Sequence, residues 1–196
     1  CLVQVSGPEI PIMDGSAQDF CHAIQTVGIT TQKKVTNIIT VLETIRVTTE
    51  TSWAELSPSA ERTFTINFDF SNRLPHILKQ SQNILFKLED ENFHLLFAKA
   101  RTFGLFEDAQ KVQAMGLAKG ANLNNTIIIK DDRVLNPEGL RHPDEFSHHK
   151  IVDAVGDLAL CRQPIVGAYK AYNGSHALNN NLLRTLFNTP TAWKYA

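Results

Sequence analysis

Between Asp144 and Asp157 the chain reads DEFSHHKIVDAVGD, and its imidazoles and carboxylates are spaced for chemistry. On a helix, His149, Asp153 and Asp157 recur every four residues and share one face. An imidazole and a carboxylate one turn apart can reach a single divalent ion such as zinc. Helix-start signals precede them: Pro143 suits a first helical position, and Asp144 and Glu145 bring the negative charge that the helix dipole favours. Ile151, Val152, Val155 and Leu158 offer a separate apolar face for burial. The same pattern also describes a polar helix face with a solvated carboxylate, and a single H-x-x-x-D does not separate the two. His148 would point about 100° away from His149, at the surface or behind it. A di-iron half-site from Glu145 and His148 would need a second E-x-x-H copy, which the sequence lacks.

The elements that must position this helix alternate in type. Leu2–Val5 alternates as a strand, and Ser16–Val27 reads as a short helix with Ser16 as cap and Gly28 as stop. A polar connector, TTQKK (30–34), places a domain boundary there. From Val35 to Phe70 the chain is rich in β-branched residues, including the alternating TFTINFDF. Gln82–Glu89 and Phe93–Phe97 are ambiguous between strand and helix lead-in. Asp108–Ala118 reads as a helix with Ala109, Val112 and Met115 on one stripe. Thr126 to Ile129 forms a buried strand ended by an Asp131-Asp132 turn. Ile165–Asn173 reads as a strand and His176–Phe187 as a helix. Strands and helices in one unit argue for an α+β fold in two layers.

Composition narrows the function classes. The 196 residues are 43% hydrophobic and 20% charged, ordinary for a globular protein. A net charge of −1 and the absence of a basic run give no case for nucleic acid. No apolar stretch approaches the roughly 20 residues of a transmembrane helix. Cys1, Cys21 and Cys161 are too few and scattered for a disulfide framework, which favours a reducing, cytoplasmic setting. The chain opens on Cys1 with no signal-type segment, and reads as a fragment whose beginning lies elsewhere.

Four strings carry more. GPEIPIMDGSA (7–17), KARTFGLFED (99–108), the H-K-x-x-D-A-x-G-D-L run from His149 to Leu158, and NGSHALNNNLL (173–183) occur in this order along nearly the whole chain. Together they resemble the zinc-dependent UDP-3-O-acyl-N-acetylglucosamine deacetylases that commit Gram-negative bacteria to lipid A synthesis. The resemblance implies two α+β sandwich domains with a site between them. Residues 1–34 would be the tail of the first domain and 35–196 the second, with an N-terminal half of the same enzyme missing. It implies a UDP-sugar lipid substrate and a zinc cofactor.

By the same resemblance, His149 and Asp153 match two zinc ligands. His176 matches the loop histidine that acts as general acid, and Asp157 the carboxylate that orients it. An imidazole suits that role because its reference pKa is about 6.5. Thr102 matches a hydroxyl supporting the tetrahedral oxyanion, Lys150 a substrate-contacting cation, and Phe103 an aromatic beside the sugar. Residues 106–123 correspond to the passage for the acyl chain, although Leu105 and Leu123 stand where the family often has aromatics. The family's third ligand and its general base form a Glu-His pair, and no such dipeptide occurs here. His22, His76, His94 and His142 lie in other contexts. The chain by itself is therefore expected to be inactive. The alternative is a non-catalytic fragment or degenerate relative with a binding or assembly role.

Overall fold

Period-two alternation builds the sheet on which everything else rests. The structure, a computed structural model, describes residues 2–34, 36–78, 81–88, 93–116 and 118–196. In chain order the elements are α1 (Gln18–Val27), β1 (Ile39–Val41), β2 (Ile45–Thr48), β3 (Trp53–Ser57), β4 (Arg62–Phe68), β5 (Gln82–Lys87) and α2 (Phe93–Leu96). Then come β6 (Phe103–Leu105), α3 (Phe106–Ala114), β7 (Ile127–Lys130), β8 (Arg133–Val134), α4 (Glu145–Ala159), β9 (Ile165–Tyr172), α5 (His176–Phe187) and β10 (Trp193–Tyr195). In β4 every second residue, Phe64, Ile66 and Phe68, turns into the core.

β9 is the central strand. It pairs parallel with β4, antiparallel with β3, and through its first residues parallel with β1. β2 and β5 extend the sheet beside β3 and β4, and β10 pairs with β1. One layer of helix covers this sheet: α4 lies against β4 and β5, α5 against β2 and β3, and the two helices touch. The fold is α+β. Near the middle of the chain, β6, α3 and β7 form a β-α-β unit whose strands pair in parallel, with β8 closing a three-stranded sheet. The Asp131-Asp132 turn joins β7 to β8, both residues at positive φ (48° and 53°), a conformation Asp tolerates through local hydrogen bonding.

Packing decides α5. Its sequence HALNNNLLRTLF holds three consecutive asparagines, each about 0.5–0.7 kcal/mol worse than Ala in a helix. Leu178, Leu182, Leu183 and Leu186 are all buried, worth about 1.5–3 kcal/mol each, so the stripe outweighs the propensity. Ser175 caps the helix, its hydroxyl accepting from the Leu178 N–H at 3.3 Å.

Several expectations need correction. Leu2–Val5 is not a strand: the segment is exposed and has no ladder partner among the described residues, and alternation without a partner forms no strand. The first helix starts at Gln18, with Ser16 just outside it, although the Ser16 hydroxyl still accepts from the Gln18 N–H. Pro143 precedes the helix rather than opening it, because Asp144 is the N-cap of α4. Phe93–Leu96 is a short helix, and α3 begins two residues before Asp108. Met115 lies beyond α3 and is 68% exposed, so no core stripe reaches it; the Val112 side chain lies outside what is described. Cys1, Val35 at the expected domain boundary, and Glu89 at the expected end of β5 are also outside the described residues.

Candidate functional site

The site is assembled on one face of α4. Ile151, Ala154 and Leu158 turn into the core, which leaves His149, Lys150, Asp153 and Asp157 to the opposite side. His149 Nδ1 lies 3.0 Å from the Ala100 carbonyl, which only accepts, so Nδ1 carries the proton. That leaves Nε2 facing Asp153 Oδ1 at 3.2 Å. Two donors sharing a tetrahedral zinc at about 2.0–2.2 Å stand roughly 3.4 Å apart. The pair fits two ligand positions. A catalytic zinc asks for three, and among the described residues no group of three or more His, Cys, Asp or Glu side chains could hold a metal ion.

Asp153 is mostly buried and answers to several charges. Burial opposes its ionisation, yet the His149 hydrogen bond and the charges of His149, Lys150 and His176 outweigh it, holding the carboxyl well below its ordinary value. Lys150 Nζ reaches Asp153 Oδ2 at 3.0 Å and sits 5.4 Å from the centre of the Phe103 ring. Phe103 in turn packs edge-on against Phe68 and Phe146 and lies 6.2 Å from the His149 ring.

His176 enters from the other helix. It is the first residue of α5, where the dipole disfavours a cation. Asp157 answers this: its Oδ2 is 2.8 Å from His176 Nδ1. The Asp157 hydrogen bond raises the His176 pKa against the cost of burial, with Asp153 adding to it. His176 Nε2 is then aimed toward Asp153, 3.9 Å from Oδ1, while the ring stays 69% exposed.

Two buried residues behind the pair were not evident from the sequence. Tyr169 donates from its hydroxyl to Asn179 Oδ1 at 2.6 Å, which turns the Asn179 amide so that Nδ2 donates to Asp157 Oδ2 at 2.8 Å. Burial, and then Asp157 and Asp153, push the Tyr169 phenol upward, so it remains a donor. Asn179 lies three residues after His176, a helical spacing that was a usable signal; Tyr169 carried none.

Thr102 is set by the DGS string near the start of the chain. Gly15, at φ 84°, offers its carbonyl to the Thr102 N–H at 2.7 Å. A Cβ on Gly15 would fall 2.0 Å from the Asn125 carbonyl oxygen, so only glycine fits there. Asp14 accepts from Ser16 through Oδ1 and from Arg141 Nη2 at 2.8 Å through Oδ2. Among the described residues the Thr102 hydroxyl makes no hydrogen bond. His148 stacks on His142 at 4.6 Å and meets Phe97 edge-on, outside the His149 cluster. Burial first, and then His142, lower its pKa.

The family model for UDP-3-O-acyl N-acetylglycosamine deacetylase matches residues 1–188. Among similar curated proteins, UDP-3-O-acyl-N-acetylglucosamine deacetylase of Chromobacterium violaceum is 38% identical over 195 residues, covering 100% of this chain and 64% of the relative. The enzyme of the same name from Tolumonas auensis is 40% identical over 192 residues, covering 98% and 62%. That of Actinobacillus pleuropneumoniae is 41% identical over 197 residues, covering 99% and 63%. The chain thus spans less than two thirds of the length of these relatives. No helix among the described residues is long and apolar enough to cross a membrane.

Proposed function

Because the chain belongs to the UDP-3-O-acyl N-acetylglycosamine deacetylase family, we propose that it carries the second-domain share of a zinc-dependent amide hydrolase. The reaction is hydrolysis of the acetamide of UDP-3-O-acyl-N-acetylglucosamine to the free amine and acetate, the committed step of cytoplasmic lipid A synthesis. Residues 1–34 are read as the end of a preceding, similar domain and 35–196 as the second. The observation that carries the reading is the convergence on Asp153 of His149 Nε2 at 3.2 Å and His176 Nε2 at 3.9 Å.

His149 and Asp153 would hold the metal, which when bound supplies a Lewis acid and an acidified water. His176, kept protonated by Asp157, gives a proton to the departing amine nitrogen. Asp157 acts through His176, and Asn179 and Tyr169 keep its carboxylate turned that way. The Thr102 hydroxyl supports the oxyanion as the carbonyl becomes tetrahedral. Lys150 and Phe103 hold the sugar. A groove of about 720 Å³ lined by Trp53, Asp69, Phe70, Arg73, Tyr172 and Asn173 begins three residues before His176. Its rings and hydrogen-bonding groups suit the nucleotide portion.

The 196 residues hold no Glu-His dipeptide, so the third donor and the general base are to come from outside them. The purified chain alone is then inactive, and combining it with a separately expressed first half restores zinc binding and deacetylation. Tight zinc and full turnover by the chain alone would sink this reading, as would a complemented enzyme indifferent to loss of His149.

A further inference from the structure

One peptide unit is gripped from both ends by α4. The N–H of Arg101 donates to Glu145 Oε1 at 3.0 Å, and the carbonyl of the same peptide, Ala100 O, accepts from His149 Nδ1 at 3.0 Å. Glu145 and His149 are four residues apart, one above the other on the helix. The peptide between Ala100 and Arg101 is therefore laid flat along α4, its donor end on a carboxylate and its acceptor end on an imidazole.

The grip is reinforced by the Arg101 side chain, which is 2% exposed beside a Glu145 that is 1% exposed. Nε meets Oε1 at 2.9 Å and Nη2 meets Oε2 at 3.2 Å, a forked pair. Arg101 Nη2 also donates to the Gly139 carbonyl, Nη1 to Glu138, and the Arg141 N–H to Glu145 Oε2. Glu145 thus accepts from four donors, and its carboxylate has no freedom to turn. Stability alone does not ask for such a pair, since buried ion pairs are commonly replaceable by apolar residues of similar volume. What an apolar residue cannot do is accept the Arg101 N–H and so aim the Ala100 carbonyl.

We propose that Arg101 and Glu145 are positioning residues that hold the Ala100 carbonyl against His149 Nδ1 by orienting the Ala100–Arg101 peptide, so that the ring is fixed with Nε2 directed at the Asp153 side. The inference rests on the reading of His149 as a metal donor, and it places the decisive contact outside the ligand set. A metal-bound imidazole whose other nitrogen is held by a carbonyl is a stronger and better-aimed ligand, and loss of such support costs about 10–100-fold in affinity.

The test uses the chain labelled with ¹⁵N-histidine and combined with its separately expressed first half at pH 8. Wild type is expected to show His149 with a protonated Nδ1, and with Nε2 at its metal-bound position once zinc is added. Arg101→Met/Glu145→Leu keeps the volume apolar; it is expected to fold, to show mixed His149 tautomers, and to bind zinc at least about tenfold more weakly. Glu145→Gln, which retains one acceptor for the Arg101 N–H, should fall between the two and serves if the double variant does not fold. A wild-type His149 whose Nδ1 carries no proton overturns the proposal whatever the variants do. So does a folded variant of either kind with wild-type tautomer and zinc affinity. If His149→Ala binds zinc as well as wild type, the metal reading fails instead, while the tautomer comparison still stands.

Discussion

His149 and His176 address the same carboxylate, Asp153, from opposite surroundings. The first is 12% exposed and locked, its Nδ1 on a backbone carbonyl that is itself held by the buried Arg101–Glu145 pair. The second is 69% exposed at the start of a helix, hydrogen-bonded to the Asp157 carboxylate. The difference teaches which job each ring can do. A carbonyl behind an imidazole dictates one tautomer and a fixed lone pair, which suits a ligand. A carboxylate behind an imidazole favours the cation, and exposure lets it exchange protons, which suits an acid.

The most damaging way to break this contrast is to remove the locked ring. His149→Ala in the complemented enzyme is expected to abolish zinc uptake, measured by metal analysis, and to bring hydrolysis to background. His176→Ala should lower kcat by about 10²–10⁴-fold with zinc content unchanged; zinc lost alongside would erase the distinction between the two rings.

Stability reads the same contrast. Glu145→Ala strips the buried Arg101 of its forked partner, leaving the half-exposed Glu138, and should cost about 3–5 kcal/mol in denaturant unfolding. The loss of Asp157, paired with an exposed ring but also the acceptor of the buried Asn179 amide, should cost less, about 1–3 kcal/mol. Acid sharpens it. Burial resists ionisation of Glu145, but Arg101 and Arg141 overcome this and hold its pKa below the ordinary 4.5. Its stabilisation is therefore present above pH 4.5 and lost as pH falls through the lowered folded value. His176 runs the other way: its raised pKa gives a contribution present below pH 6.5 and lost as pH rises through the folded value. The smallest effect is local. Asp157→Asn should move the His176 midpoint downward in an NMR titration; an unchanged midpoint would remove Asp157 from its role.

The helical spacing made the α4 face legible, because His149, Asp153 and Asp157 lie within nine residues and local geometry alone joins them. The strings ARTFG and SHALNN marked where Thr102 and His176 sit. What spacing could not give was the support from afar. Glu145 read as a dipole-favoured first-turn acid, whereas it is a buried acceptor for a residue 44 positions upstream. A charged Arg101 between Ala100 and the apolar residues Phe103, Leu105 and Phe106 was the available signal, since such a charge is rarely buried without a partner. β10 carried too little pattern, with three residues and one half-buried side chain. Leu2–Val5 failed for the opposite reason, pattern without a partner.

The most direct measurement is a zinc titration of the ¹⁵N-histidine-labelled chain combined with its first half. Binding at His149 and Asp153 predicts that the His149 Nε2 resonance moves to its metal-bound position at one equivalent while His176 keeps its titratable ring. A zinc response at His142 or His148, or none at His149, would contradict it.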